Sequence, residues 1–287
     1  MTGTTMNEHI LKNKFLQIEY LTNSLRITGL TPAGKPNMLA DLSDLPPIPT
    51  LYGDFHFRGG HRLWHAPEAM PRTYIPDTGE LTITDIPDGV LLESQTEPGT
   101  GIRKRMEIRL AADKPSVILT HTLINDGMWP VELAPWAITQ FRLGGIVILP
   151  MPVGNVDSSG LLPNRQISLW PYARINDPRL KLDDEYVLFQ ADAILPPFKI
   201  GYFNPQGWMA YWLDGVLFRK TYEAQTESTY PDNNCNAEMY CNDQFVELES
   251  LGLLNMIKPG ESIVHMETWE LFDSLAQPFL PAKIHIL

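Results

Sequence analysis

Phe245-Val246-Glu247-Leu248-Glu249-Ser250-Leu251-Gly252, then Ile257-Lys258-Pro259-Gly260-Glu261-Ser262, then His265-Met266-Glu267-Thr268-Trp269-Glu270-Leu271 spells a strand, a turn and a second strand. Side chains alternate across a β-strand, so Glu247 and Glu249 share one face while Val246 and Leu248 share the other. Pro259-Gly260 supplies the tight reversal, and beyond it His265, Glu267 and Trp269 return to a common face. This pattern belongs to antiparallel strands with one apolar side and one side that carries chemistry.

The same period of two recurs along the chain. Leu16, Ile18 and Tyr20 alternate with Gln17 and Glu19, and Leu25-Arg26-Ile27-Thr28 follows after Thr22-Asn23-Ser24, as in a hairpin. Alternation predicts further strands around Leu81–Thr84, Gly89–Glu93, Ile102–Leu110, Ser116–Ile124, Val131–Phe141, Tyr186–Asp192 and Trp208–Leu213. Turn dipeptides such as Asp88-Gly89, Asp214-Gly215 and Pro259-Gly260 separate them, and 25 prolines with 20 glycines leave little room for long helices. Ten or more strands without intervening amphipathic helices predict an all-β fold, a large antiparallel two-sheet sandwich, with residues 1–287 forming one domain. Ala40–Tyr74 and Val153–Asp184 are the irregular stretches, expected to cover a sheet edge or a site.

Charge and length exclude several partners. Acidic residues outnumber basic ones 34 to 22, and the resulting net charge of -12 repels nucleic-acid backbones and anionic lipid surfaces. The best apolar run, Ile146–Leu149, ends at Pro150, so a membrane span is not expected, and Met1–Phe15 lacks the apolar core of a secretory leader. These features predict a cytoplasmic protein, in which Cys235 and Cys241 remain reduced. Oligomeric state is not legible.

Three clusters carry candidate chemistry. Gly59-Gly60-His61-Arg62-Leu63-Trp64-His65-Ala66-Pro67-Glu68 follows a flexible glycine pair and is expected on a loop, where Arg62 and Glu68 can bind hydroxyl groups, Trp64 can stack on a ring, and His61 or His65 can move a proton. The second cluster joins Glu238 and Tyr240 to Glu247 and Glu249; like charges held close raise the pKa of one of them. The more ordinary reading is a solvated strand face, or carboxylates paired with Arg103, Arg105 and Arg109; Lys199 and Lys220 are either exposed or able to neutralise one of these carboxylates. The third, His265, Glu267 and Trp269, fits an edge-strand ladder as well as a site. His61 and His65 have no third ligand at metal-site spacing, so neither a metal nor another cofactor is expected.

The Glu249 strand, the Pro-Gly-Glu turn and the last strand resemble the C-terminal end of the galactose mutarotase (aldose 1-epimerase) superfamily, and Pro36-Asn37-Met38-Leu39 resembles its early segment ending in Asn-Leu. The Gly59–Glu68 segment is similar to that of a little-characterised bacterial branch. The resemblance implies a β-supersandwich that binds a sugar ring on a concave sheet face, with Glu249 as catalytic base. In the matching register Trp136 stands where the family places its acid histidine, and an indole can stack on a pyranose but cannot protonate its ring oxygen. The leading expectation is a carbohydrate-binding protein that uses Arg62, Trp64, Glu68, Trp136, Glu238, Tyr240 and Glu247 to hold a small sugar or oligosaccharide. An aldose 1-epimerase with Glu249 as base and His61 or His65 as acid is the alternative, and a non-catalytic protein-interaction module is the third.

Overall fold

The computed structural model describes residues 8–275. Two large antiparallel sheets pack face to face, as the alternating pattern requires. Across the first sheet run Leu16–Leu21, Arg26–Pro32, Arg58–Ala66, Val131–Phe141, Val246–Leu251, Ala237–Cys241 and Phe198–Tyr202, with Glu8–Lys12 and Ser168–Leu169 at its two edges. At the centre of the second, Trp208–Leu213, Val216–Tyr222, Ser262–Phe272, Ser116–Asn125 and Ile102–Leu110 lie side by side. Helical structure among the described residues is confined to single turns at Arg72–Tyr74 and Pro231–Asn234. No helix of the described residues is long and apolar enough to cross a membrane.

The core lies between the sheets, where Phe141, Leu248 and Met239 of the first meet Leu119, Phe218 and Trp269 of the second. Cys235 and Cys241 are both buried and free. A second apolar cluster forms on the opposite, outer face of the first sheet, where Trp64, Trp136 and Leu251 pack under Phe55. Phe55 comes from the small hairpin Ile48–Thr50 and Gly53–Phe55, so the irregular 40–74 stretch does cover this face.

Two expectations are corrected. Arg58–Ala66 is a nine-residue central strand, not a loop. Gly59 and Gly60 lie at its start because neighbouring backbone crowds them: a Cβ on Gly60 (φ +71°) would sit 1.9 Å from the Ile27 carbonyl oxygen, and one on Gly59 (φ +80°) 1.9 Å from that of Ala40. The glycine pair marks close backbone approach rather than flexibility. Ser262–Phe272 is likewise no edge strand, since Ser116–Asn125 and Val216–Tyr222 flank it.

Candidate functional site: a pocket on the outer face of the first sheet

Register along the five central strands decides which side chains meet. Arg62 pairs with Ile138 and Trp64 with Trp136; Ile138 in turn pairs with Glu249. Glu249 pairs with Glu238, Glu247 with Tyr240, and Tyr240 with Lys199. Directly paired residues point the same way, so all of these occupy the outer face. The 153–184 stretch reaches over them: Ser168–Leu169 pairs with Phe198–Tyr202 at the sheet edge and delivers Trp170 and Tyr172. Together with Glu68 and Tyr74 they enclose a cavity of about 390 Å³, large enough for a sugar ring.

Lys199 organises the floor. Its Nζ lies 2.8 Å from Glu238 Oε2 and 2.9 Å from Glu249 Oε2, between the indoles of Trp136 and Trp170 at 4.7 and 4.5 Å from their centroids. Burial alone would lower the pKa of this ammonium, but the two carboxylates hold it well above the usual lysine range. Trp136 Nε1 donates to the same Glu249 oxygen at 2.8 Å. Glu249 is therefore fully buried beneath the indole and the ammonium and is not part of the cavity wall.

Glu247 is the buried carboxyl group that reaches the cavity. It is 8% exposed and accepts hydrogen bonds from Arg62 Nη2 at 3.1 Å and Gln140 Nε2 at 2.9 Å. Burial pushes its pKa up, Arg62 opposes this, Glu249 adds to it, and the outcome is about 7. Glu238 is raised well above the carboxylate range, first by burial and then by Glu249 and Asp232 against the pull of Lys199. The Arg62 guanidinium lies 4.2 Å over the Trp64 ring. Several buried polar atoms here lack a hydrogen-bond partner: Glu249 Oε1, Gln140 Oε1, and Nε and Nη1 of Arg62.

His61 and His65 point the other way, into the space between the sheets. His61 Nε2 is 2.8 Å from His121 Nε2, and its Nδ1 is 2.9 Å from Thr139 Oγ1. His65 is tied to Glu97 at 3.2 Å, and Glu97 to Lys104 at 2.5 Å. His61, His121 and Glu267 bring ligand-type atoms within 4.8 Å of one another, but the Lys220 ammonium, 2.8 Å from Glu267, already supplies the positive charge that these groups surround.

Of the residues singled out in the sequence, Arg62, Trp64, Glu68, Trp136, Tyr240 and Glu247 line the cavity, Glu238 and Glu249 lie beneath it, and His61 and His65 lie on the opposite side of the sheet. Arg103 and Arg105 pair with Glu93, and Arg109 with Glu107, so none serves these carboxylates. Lys199 does, through its ion pairs with Glu238 and Glu249. Trp170, Tyr172, Tyr74 and Gln140 escaped the sequence reading. The one signal for the first two was their position in an ordered loop rich in proline, and Gln140 could have been found by counting alternate positions from Trp136.

No protein-family model matches the sequence, and no curated protein does. Solved structures do. A galactose mutarotase-like protein from Lactobacillus casei superposes with a TM-score of 0.58 at 9% identity, covering 93% of this chain and all of that one (100%). A galactose mutarotase related enzyme from Lactobacillus acidophilus gives a TM-score of 0.58 at 9% identity over 94% and 99% of the two chains. A candidate aldose 1-epimerase from Escherichia coli K12 gives 0.56 at 13% identity over 93% and 99%. Identities this low carry the fold and not the activity. The two-sheet sandwich of this chain is the fold of the galactose mutarotase-like proteins.

Proposed function

We propose that the protein binds a pyranose in the outer-face pocket, with Glu247 and Glu68 accepting from sugar hydroxyls and Tyr172, Tyr240 and Trp170 forming the apolar walls. The observation that carries this is the placement of Glu247: a nearly buried carboxyl group on the wall of a cavity edged with aromatic rings, with unpartnered Gln140 and Glu249 oxygens beside and below it. Sugars match such walls because they offer C–H faces to rings and hydroxyls to carboxylates. Titration calorimetry with glucose, galactose and their disaccharides should give saturable binding, and a flat titration at millimolar sugar for all of them would defeat the proposal.

One observation favours a second reading, in which the pocket also interconverts anomers. Ring opening breaks the C1–O5 bond, takes the proton from the C1 hydroxyl and places a proton on O5. A carboxyl group with a pKa about 7 is half protonated near neutrality and can both give and take that proton. The imidazoles are on the wrong side of the sheet, burial pushes the Tyr240 phenol up to about 12, and Glu249 is covered, so Glu247 carries both roles. Polarimetry on freshly dissolved α-glucose and α-galactose should show acceleration that falls about 100-fold or more in Glu247→Gln. An unchanged rate in that variant would leave Glu247 without a catalytic part.

A further inference from the structure

The pocket's charges are arranged unequally with respect to a ligand. Its two cations are sunk and occupied: the Lys199 side chain is 5% exposed, paired with two carboxylates and held between two indoles, and the Arg62 side chain is 4% exposed, paired with Glu247 and laid on Trp64. The other charged groups of its lining are carboxylates. Glu247 stands on the wall, and the exposed Glu68 lines the rim, where it accepts from the Tyr74 hydroxyl. Two cations thus face four carboxyl groups, Glu68, Glu238, Glu247 and Glu249.

The unpartnered polar atoms around Glu247 are all buried, two of them acceptors, Gln140 Oε1 and Glu249 Oε1, and two of them donors, Nε and Nη1 of Arg62. Aromatic rings make up much of the rest of the wall, beside Leu45, Ile138, Pro197, Asn242 and Gln244; Tyr172 and Tyr240 meet edge to face at 6.2 Å, and Trp170 already holds the Lys199 ammonium. A carboxylate with aromatic neighbours is the environment that stabilises an ammonium group. An incoming phosphate or carboxylate would instead meet Glu247 and Glu68, and would find the two cations on the lining, Arg62 and Lys199, already paired with carboxylates.

We infer that this pocket prefers a pyranose bearing a free primary amine, its ammonium seated against Glu247 and Glu68 and its ring against Tyr172 and Tyr240, and that it discriminates against anionic sugars. The inference rests on the pyranose reading above and names the substrate class of the same site. An arriving ammonium also favours the ionised form of Glu247, whose neighbours Arg62, Glu249 and Lys199 already bracket it, so binding and proton release go together.

The test is calorimetric titration of the full chain at pH 7 with glucosamine and galactosamine, the parent glucose and galactose, N-acetylglucosamine, glucuronate and glucose 6-phosphate. One charge-assisted hydrogen bond corresponds to about tenfold in affinity, so an amino sugar should bind about tenfold or more tightly than its parent, with the N-acetylated and anionic sugars weakest. In Glu247→Gln the ratio between amino and parent sugar should collapse to about threefold or less, and in Glu68→Gln, at an exposed position where folding is not at risk, it should fall in the same direction. An amino sugar no better than its parent, or an anionic sugar that equals or exceeds it, overturns the inference while leaving the pyranose site intact. No binding by any of the seven sugars overturns the underlying reading instead.

Discussion

Two polar clusters lie back to back on the Val246–Leu251 strand, one around Glu247 and Glu249 on its outer face and one around Ser250 between the sheets. The inner cluster is closed. His121 Nδ1 donates to the His265 carbonyl oxygen at 3.1 Å, which leaves His121 Nε2 to accept from His61 Nε2; His61 Nδ1 then accepts from the Thr139 hydroxyl, and Thr139 Oγ1 accepts from Lys220. Lys220 also donates to the Ala137 carbonyl and to Glu267 Oε1. Glu267 accepts further bonds from Ser250 and Trp269, and Ser250 accepts from His265 Nε2. The three imidazoles are neutral in this chain of bonds, with one tautomer assigned to each of His61 and His121 by its partners. The outer cluster, by contrast, keeps unpartnered oxygens and a carboxyl group near pH 7. Buried polar groups that complete one another hold a fold together, whereas buried polar groups left incomplete beside a cavity await a ligand.

Removing a charge from the closed cluster should have the largest effect. Lys220→Met strands the Glu267 carboxylate, fully buried, without its counter-ion, and the expected loss is about 3–5 kcal/mol of unfolding free energy. Adding Glu267→Leu to that variant should restore much of the loss, since an apolar pair no longer carries a buried charge. Urea denaturation of both variants checks this. A single substitution costing under about 1 kcal/mol would show that the inner cluster is no tighter than the outer one.

Acidity separates the clusters next, because their pKa shifts run in opposite senses. Burial lowers His61 and His121 and takes His265 down to about 3, so below pH 6.5 the unfolded chain binds protons that the folded chain refuses. Stability supplied by these groups is therefore present above 6.5 and falls with decreasing pH, by up to about 1.4 kcal/mol per pH unit for each histidine. Glu267, held below 4.5 by Lys220 against the cost of burial, adds a loss below that pH. Glu247 behaves oppositely. Its folded pKa of about 7 exceeds the ordinary 4.5, so its contribution is full below 4.5 and is lost as pH rises toward 7. Unfolding free energies of the native chain and Glu247→Gln should accordingly converge or cross between pH 4.5 and 7, the variant gaining up to about 3 kcal/mol relative to the native protein. Parallel pH profiles would mean that Glu247 titrates in its ordinary range and that the outer cluster is as settled as the inner one.

Much of this architecture was legible because strand alternation is a local signal. Phe245–Leu251 and Ser262–Phe272 declared their faces, and with them the separation of Glu247 and Glu249 from Leu248. The Gly59–Glu68 segment reads as a loop from sequence alone, because a glycine pair signals flexibility in isolation and close backbone approach only once Ile27 and Ala40 lie beside it. On a strand, His61 and Arg62 must point to opposite faces, so the histidines and the arginine could not serve one site. Resemblance points to Glu249, but which of two carboxylates on one face is covered depends on Trp136 and Lys199, which lie 113 and 50 residues away in sequence.

The smallest expected effect distinguishes the two clusters by what they leave unchanged. Tyr172 is exposed and comes from the loop that crosses the sheet edge, packing edge to face on Tyr240 without entering the core. Tyr172→Ala should cost about 1 kcal/mol of sugar affinity, about fivefold in Kd, through loss of one aromatic wall. Its unfolding free energy should stay within about 0.5 kcal/mol of the native value, as surface substitutions do. The inner cluster cannot show that separation, since each of its members is buried against the others. If Tyr172→Ala lowered stability and affinity together, the 153–184 stretch would be part of the sandwich's framework, and the pocket would be enclosed by structure rather than lined for a ligand.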